Sequence, residues 1–329
     1  GLVEQGGDLV ASVGRRATMG ATAYLKIADG CDAPCAFCAI PLIKGPQLSK
    51  PLSYVLREAR ELAEQGVREI VLIAQDTTTY GRDRSQPDAL PGLLKAIANA
   101  VPDVSWLRIL YGHPQHVTPE LVETMADIPQ VCHYLDLPFQ HGNPDVLRRM
   151  GRPHDIEHAY RLVGQLRQAM PDIALRSSFI VGYPGETEDE FTSMLEFMRE
   201  ISFDKVGVFS YSAEDGTRAA LLPDRVPPEV IAERHERAML VQREIATRRN
   251  QAQVGRVLPI LVEGAGDGLT VGRSYREAPE IDGLVLIPGQ AQVGEFVEAR
   301  IVGAEAYDLI AERLSSRDSL SPSAKSPPS

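Results

Sequence analysis

Apolar residues recur along this chain with two alternating periods. The run SYVLREARELAEQG places Val55, Ala59, Leu62 and Ala63 at helical spacing and stops at Gly66, which predicts a helix. The next stretch, REIVLIAQD, is apolar from Ile70 to Ala74 on both faces, as a parallel strand covered by helices should be. The alternation then repeats. A helix around 91–99 precedes a strand at 104–110, and a helix at 118–127 precedes a strand at 133–137. A helical region at 155–169 precedes a strand at 173–181, and a helix at 188–199 precedes a strand at 205–210. Tyr24, Leu25 and Ile27 mark an earlier strand, and Thr187 with Glu190 has capping-box spacing, which gives Thr187 a structural role. Six strand–helix units predict an α/β domain on a parallel sheet with right-handed crossovers, either a partial barrel or a doubly wound sheet.

The pattern changes after a long helix at 228–249, whose packed stripe is Ile231, Ala238, Val241 and Ile245. RVLPILVEG, GLTVGRSY, LVLIPG and GEFVEARIVGA are short, rich in valine and leucine and separated by glycines, which predicts a small antiparallel barrel. The expected organisation is a linker over 1–20, a core over 21–227, a connecting helix over 228–250, a barrel over 251–313 and a disordered Ser/Pro-rich tail over 314–329. A length of 329 residues has room for such a large domain with a small companion.

Charge narrows the partners. With 34 Lys plus Arg against 45 Asp plus Glu the net charge is -11, which argues against a generic nucleic-acid binder and for a protein partner, a basic one. No apolar run has the length of a membrane span, and GLVEQGGDLV lacks the basic region and hydrophobic core expected of a secretory leader. Four cysteines are too few for a secreted disulfide framework at this size, so a reducing cytoplasm is the expected compartment.

Three of those cysteines carry the chemistry. Cys31, Cys35 and Cys38 have C-x3-C-x2-C spacing on a loop leaving the first strand, which lets three thiolates meet at one inorganic centre. Structural zinc wants four ligands, and the nearest downstream histidine is His113. Soft thiolates also suit an iron–sulfur cube, and three of them leave one iron open to an outside ligand. Zinc, a reactive cluster and three unrelated thiols all remain open on spacing alone. Polar and glycine-rich signals also gather just after the strands: Gln75-Asp76, Tyr111 to Pro114, Gln140 to Gly142 and Gly182 to Glu186. In barrel-like α/β folds that rim is where chemistry is placed.

The cysteine spacing, with Phe37 before the last cysteine, resembles the signature of the radical S-adenosylmethionine (SAM) superfamily. Further segments resemble the methylthiotransferase family: YLKIADGCDAPCAFCAIP, LIAQDTTTYG, WLRILYGHP, YLDLPFQHG, FIVGYPGETEDEF, GVFSYSAEDGT and GRSYREAPEIDG. The likeness spans about residues 21 to 312, most closely to the branch that modifies ribosomal protein S12. It implies an α/β fold, a radical-SAM partial (β/α)6 barrel followed by a TRAM domain, the small β-barrel that recruits substrate. It also implies a [4Fe–4S] cluster, SAM and a reducing electron donor. In the implied mechanism, SAM cleavage gives methionine and a 5′-deoxyadenosyl radical that removes a hydrogen from the β-carbon of an S12 aspartate. A second SAM donates methyl, and the product is β-methylthio-aspartate.

On this resemblance Cys31, Cys35 and Cys38 ligate the cluster and Phe37 packs at the adenine. Gln75 and Asp76 lie near the amino-acid part of SAM, and Gly182, Pro184, Gly185 and Glu186 shape the nucleoside pocket. Ser178, Tyr211, Gln140 and His141 are further rim candidates. From the residues alone, His113 and His133 read as satisfied histidines, Asp136 as a barrel-interior or paired aspartate, and Cys132 as a buried small hydrophobe.

Residues 251–313 carry five Arg, no Lys and ten Asp or Glu, a net of −5, which would repel a phosphate backbone and attract a basic ribosomal protein. Several features depart from the family. Its N-terminal domain, with three more cysteines and a second [4Fe–4S] cluster for sulfur delivery, has no counterpart here, so a truncated chain that binds the radical cluster and SAM without completing thiolation is expected. Lys44 and Lys50 stand where arginines are usual, which removes a bidentate fork, and Gly151 stands where a basic residue is common. Two other readings compete: a tRNA adenosine methylthiotransferase, and a non-catalytic interaction protein with a structural metal clip.

Overall fold

A computed structural model describes residues 20–86 and 89–314, so the expected linker before Gly20 and the tail after Leu314 lie outside the described residues. In chain order the elements are β1 (Thr22–Lys26), β2 (Ala28–Asp29), α1 (Ile40–Lys44), β3 (Leu48–Ser49), α2 (Leu52–Glu64), β4 (Glu69–Ile73), α3 (Ala89–Ala100) and β5 (Trp106–Ile109). Then come α4 (Pro119–Asp127), β6 (Val131–Asp136), α5 (Pro144–Arg149), α6 (Ile156–Ala169), β7 (Ala174–Val181), α7 (Glu188–Ile201), β8 (Lys205–Ser210) and α8 (Pro228–Gln251). The chain ends in β9 (Val257–Gly266), β10 (Leu269–Arg273), β11 (Val285–Pro288), β12 (Phe296–Ala304) and β13 (Leu309–Arg313). It divides into two compact units between Ala246 and Thr247.

In the first unit the sheet order is β1-β4-β5-β6-β7-β8, every neighbour pair is parallel, and β1 and β8 are not paired with each other. The sheet is therefore open, as a partial barrel requires. One apolar layer joins strands to helices: Leu25, Ile70, Leu72 and Ile109 meet Val55, Ala59, Leu62, Leu94 and Ile97 of α2 and α3, all essentially solvent-free. The sequence pattern is met at the ends as well, since α7 has the full capping box of Thr187 and Glu190. In α8, Ala238, Val241 and Ile245 are buried as the stripe required, with Ile231 packed at the edge of the core.

The other strand face is polar in places. Glu69 on β4 and Arg108 on β5, both fully buried, form an ion pair at 2.7 Å, with Thr22 Oγ1 donating to the second carboxylate oxygen at 3.0 Å. The Arg108 guanidinium also lies 4.6 Å from the ring centre of Tyr134. Asp136 is fully buried and pairs with Arg176 at 2.8 Å, so the paired form of the sequence reading is the one observed.

The second unit contains a closed barrel, β10-β11-β13-β12-β9. It departs from the antiparallel expectation at one seam, where β11 and β13 run parallel through Val285↔Leu309. The long connection between those strands allows this, because a hairpin would force antiparallel pairing. Its core is Leu258, Ile260, Val262, Val285, Ile287, Val297, Ile301 and Leu309. Arg273, fully buried, holds Glu263 at 2.7 Å and donates to the Glu277 carbonyl at 2.8 Å, and Arg276 and Glu277 are buried with it. Arg273 neutralises Glu263, and Arg276 and Glu277 are buried, so three arginines face eight carboxylates on the rest of the barrel, and its surface is as acidic as its composition.

Candidate functional site

The loops that follow β1, β4, β5, β6, β7 and β8 gather at one end of the sheet, and the cysteine loop is held there from several directions. Cys31 N donates to the Gly45 carbonyl at 3.2 Å, Ala36 N to Met150 O at 2.7 Å, and Ala219 N to Ala36 O at 2.9 Å. Arg218 adds a hydrogen bond to the Pro34 carbonyl. Lys50, a departure from the family's arginine, is buried and holds both oxygens of Glu58 at 2.7 and 2.8 Å, while its N–H bonds Ile27 O. Lysine thus still clamps a carboxylate there. Lys44 makes only a surface pair with Asp29 at 3.7 Å.

Gly30 enters the loop with φ of 76°, and a Cβ at this position would lie 2.1 Å from the Pro46 carbonyl oxygen. Gly30→Ala is expected to cost roughly 1–3 kcal/mol from the strained backbone alone and to lower the iron retained per chain. Thermal melting and iron assay check this, and unchanged iron binding would show that the turn tolerates a side chain.

All three loop cysteines are free, half-exposed, and line one cavity of about 380 Å³. Each sulfur receives one N–H donor: Ala33 N on Cys31 at 3.4 Å, Arg152 Nη1 on Cys35 at 3.6 Å, and the Ile40 backbone on Cys38. Burial pushes the Cys31 and Cys38 thiols up, so metal binding here releases protons. Gln75, at the end of β4, lines the same cavity with a buried Oε1 that has no hydrogen-bond partner. An unpartnered acceptor beside three unpaired thiols fits a cluster whose open iron carries an ammonium-bearing ligand.

Phe37 and Gln140 lie on the wall between this cavity and a neighbour of about 300 Å³ that adds Ser178, Ile180 and Tyr211. Tyr211 offers a buried hydroxyl without a partner. Gln140 and Tyr111 hold left-handed backbones, φ 74° and 59°, and both line the cysteine cavity. Strain of this kind persists where surrounding bonds enforce it. Here Gln140 N bonds Ser178 O at 2.8 Å, and Tyr111 N bonds Asp136 Oδ2 at 3.1 Å.

The Gly182–Glu186 loop is built differently. Gly182 abuts α8, where an added Cβ would sit 2.4 Å from Ile231 Cγ1. Glu186 is buried and turned onto its own loop, accepting from Gly182 N at 3.0 Å and from Arg234 Nη1 at 2.9 Å. His141 Nε2 lies 3.6 Å from the same carboxylate, fully buried. Gly182, Pro184, Gly185, Glu186 and His141 do not line the cysteine cavity or its neighbour. The loop reaches that neighbour only indirectly, through the edge-on contact of Tyr183 with Tyr211 at 5.4 Å.

A third, polar cavity of about 370 Å³ shares Cys31, Asp76, His113 and Arg152 with the cysteine cavity. Burial alone would push Asp76 up, but hydrogen bonds from His116 and Thr78 outweigh it and hold the carboxyl below its usual range. Arg82 Nη1 donates to His116 Nε2 at 3.1 Å, so the His116 proton sits on Nδ1 and points at Asp76 Oδ2, 2.9 Å away. Burial, then the Arg152 cation, push His113 down to about 3. Asp76, His113 and His116 bring ligand atoms within 4.8 Å of one another. Their ring lone pairs already accept from Arg82 and from Gln115 N, which makes the trio a hydrogen-bonded scaffold rather than a cation site.

Arg152 and His116 carry no mark in the sequence, since Arg152 lies 117 residues from the cysteine it touches, whereas His113 belongs to the Tyr111–Pro114 rim segment and is hydrogen-bonded as a satisfied histidine should be. His133, by contrast, pairs with Asp172 at 2.7 Å away from these cavities, and Cys132 is buried.

Comparison with known proteins agrees with this geometry. The sequence model of the Radical SAM superfamily matches residues 25–198, and that of the TRAM domain matches residues 254–314. Ribosomal protein uS12 methylthiotransferase RimO of Roseiflexus sp. (strain RS-1) is 51% identical over 303 residues, 91% of this chain and 64% of that protein. The same enzyme of Chloroflexus aurantiacus is 50% identical, covering 92% and 67%, and that of Microcystis aeruginosa 45%, covering 90% and 68%. The chain thus spans about two thirds of the length of the curated relatives it matches. Among solved structures, the radical SAM methyltransferase TsrM from Kitasatospora setae superposes with a TM-score of 0.51 at 17% identity, over 78% of this chain and 45% of that one. Coproporphyrinogen III oxidase (HemN) from Escherichia coli gives 0.50 at 17%, over 73% and 55%. At such identities these two show the fold alone. Matched over more than half its length by the superfamily, and at half-identity by its methylthiotransferases, the chain belongs to the radical SAM superfamily and, within it, to the RimO family.

Proposed function

We propose that this chain is the radical-SAM core and TRAM barrel of a methylthiotransferase that modifies an aspartate of ribosomal protein S12. The observation that carries the reading is the convergence of three unpaired cysteines on one cavity that continues, across Phe37, into a second. When bound, the cluster and SAM supply one-electron cleavage and a carbon radical able to remove an unactivated hydrogen. Cys31, Cys35 and Cys38 would hold the cluster. Gln75 Oε1 would accept from the ligand's ammonium, and Phe37, Ser178 and Tyr211 would line its nucleoside. The Gly182–Glu186 turn and Glu186 would support Tyr183 and Tyr211 from behind. Division into a core over 21–227, a helix over 228–250 and a barrel over 251–313 belongs to the same reading. So do a second cluster in a further domain, a reducing electron donor and a cytoplasmic setting. No helix among the described residues is long and apolar enough to cross a membrane.

Anaerobic reconstitution with iron and sulfide tests this. The reduced protein is expected to show an electron paramagnetic resonance signal that SAM shifts, and to form 5′-deoxyadenosine. A cluster indifferent to SAM would refute the reading.

The acidic barrel favours protein over tRNA as substrate. Association with S12 is expected to slow roughly tenfold between low and physiological salt, as steering between opposite charges is screened. Binding of tRNA in preference to S12 under the same conditions would favour the tRNA-modifying alternative.

A further inference from the structure

Arg152 is a buried cation without a carboxylate of its own. It is 8% exposed, and among the described residues no carboxylate forms an ion pair with it. Asp76, on the wall of the same two cavities, is already engaged by His116 and Thr78, and Asp32 is exposed. An arginine withdrawn from water is rarely left without a counter-charge, because stripping its hydration is costly. The neighbours that remain are sulfurs. Arg152 Nη1 donates to Cys35 Sγ at 3.6 Å. Burial pushes the Cys38 thiol up, and the Arg152 cation pulls against that push.

The guanidinium is held in place from both sides. Its Nη2 donates to the Pro138 carbonyl at 2.5 Å, and Arg152 N bonds Leu147 O at 2.8 Å. The turn before it is seated on the cysteine loop: Met150 O accepts from Ala36 N at 2.7 Å, and Gly151, φ 67°, passes so close that a Cβ would lie 2.4 Å from the Pro34 carbonyl oxygen. His113 on the same wall adds no second charge, since burial and then the Arg152 cation push it down to about 3. One fixed cation therefore faces three thiols.

We infer that Arg152 is the counter-ion of the cluster held by Cys31, Cys35 and Cys38, a positioning residue that acts through Cys35 to raise the cluster's reduction potential. This rests on the functional reading in one respect, that a cluster occupies these thiols. Three thiolates give an iron–sulfur core a net negative charge, and one-electron reduction increases it. A fixed cation that also donates to a ligating sulfur stabilises the reduced form more than the oxidised form. Cys31 and Cys38 receive only backbone donors, so Cys35 alone carries a charge-assisted bond. With the arginine in place, a one-electron donor of less negative potential suffices to reduce the protein.

The test is an anaerobic redox titration of the reconstituted chain with dithionite and dye mediators, in the absence of SAM, followed by electron paramagnetic resonance of the reduced cluster. Arg152→Gln, matched to wild type in iron and sulfide content, is expected to lower the reduced-to-oxidised ratio at the wild-type midpoint at least tenfold, a shift of about 59 mV or more toward negative potential. Arg152→Lys keeps the charge and is expected to recover most of that shift. Arg148→Gln, at an exposed arginine on the preceding helix, should leave the midpoint in place. A merely structural arginine would alter how much cluster forms without moving its potential. An unmoved midpoint in Arg152→Gln, a lysine variant as negative as the glutamine one, or an equal shift in Arg148→Gln overturns the inference. If Arg152→Gln takes up no cluster, wild-type protein grown with arginine carrying heavy nitrogen in the guanidinium carries the test. Pulsed resonance of its reduced cluster should show a coupling to that nitrogen, and its absence overturns the inference. A wild type that binds cluster and SAM yet fails these measurements sinks this inference alone, whereas a wild type that forms no cluster sinks the functional reading with it.

Discussion

Cys35→Ser is expected to strip the loop of its cluster and to take reductive SAM cleavage below detection. Loss of a partner that merely orients a metal ligand already costs about 10–100-fold, and here a ligand itself is removed from a set of three. Serine is a harder donor and is not deprotonated at neutral pH, so it neither matches iron in softness nor supplies the negative charge. It also leaves the Arg152 guanidinium, now facing a hydroxyl, without its sulfur. The fold should survive, because the loop is pinned by backbone bonds to Gly45, Met150 and Ala219 rather than by the thiols. Iron and sulfide per chain, visible absorbance and 5′-deoxyadenosine yield check this, with circular dichroism as the control for folding. Cys132→Ser, at a buried site on β6 away from the cavities, should leave iron content unchanged. Full iron retention in Cys35→Ser would show that this cysteine is not a ligand.

The largest loss of stability is expected from Glu69→Ala, about 3–5 kcal/mol, because it abandons the Arg108 guanidinium inside the sheet. Both side chains are solvent-free and 2.7 Å apart. The attraction between them offsets desolvation only while both are present. Replacing the pair together, Glu69→Leu with Arg108→Met, is therefore expected to cost markedly less than the single change. Trp106, the chain's sole tryptophan, lies on β5 with its ring 6.0 Å from Arg108, so its fluorescence reports denaturation of this unit directly. A single substitution no worse than the double would mean that the pair contributes nothing beyond its volume.

Most of the scaffold was legible because it is written in local periodicity. The apolar run at 70–74 could only be a strand covered on both faces, and the stripe on the long helix named the residues that pack. The parallel seam between β11 and β13 was not legible, since nothing in two short apolar segments encodes which way a non-hairpin pair runs. For the site, the convergence of the cysteines was readable from spacing and the rim place of Gln75 and Asp76 from their position after a strand, while Phe37 entered only through the family resemblance. Arg152 was not, because its partner is remote in sequence and an arginine among several in RRMGRPHD carries no local mark. Glu186 was readable as part of a turn, but its commitment to Arg234 on a helix 48 residues away was not.

The separation between Cys35 and Arg152 also has a consequence for how the protein is made. A ribosome adding roughly 5–20 residues per second needs on the order of 10 s to synthesise the 117 positions between them. During that interval the three thiols already exist as a short local motif, while the guanidinium that touches Cys35 and the carbonyl of Met150 that anchors Ala36 do not. Cluster delivery to the growing chain would therefore meet thiols open to oxygen and to competing metals, and delivery after release would meet a loop already closed in place. The order of these two events, fixed by chain connectivity rather than by chemistry, sets how long the motif must be guarded during biosynthesis.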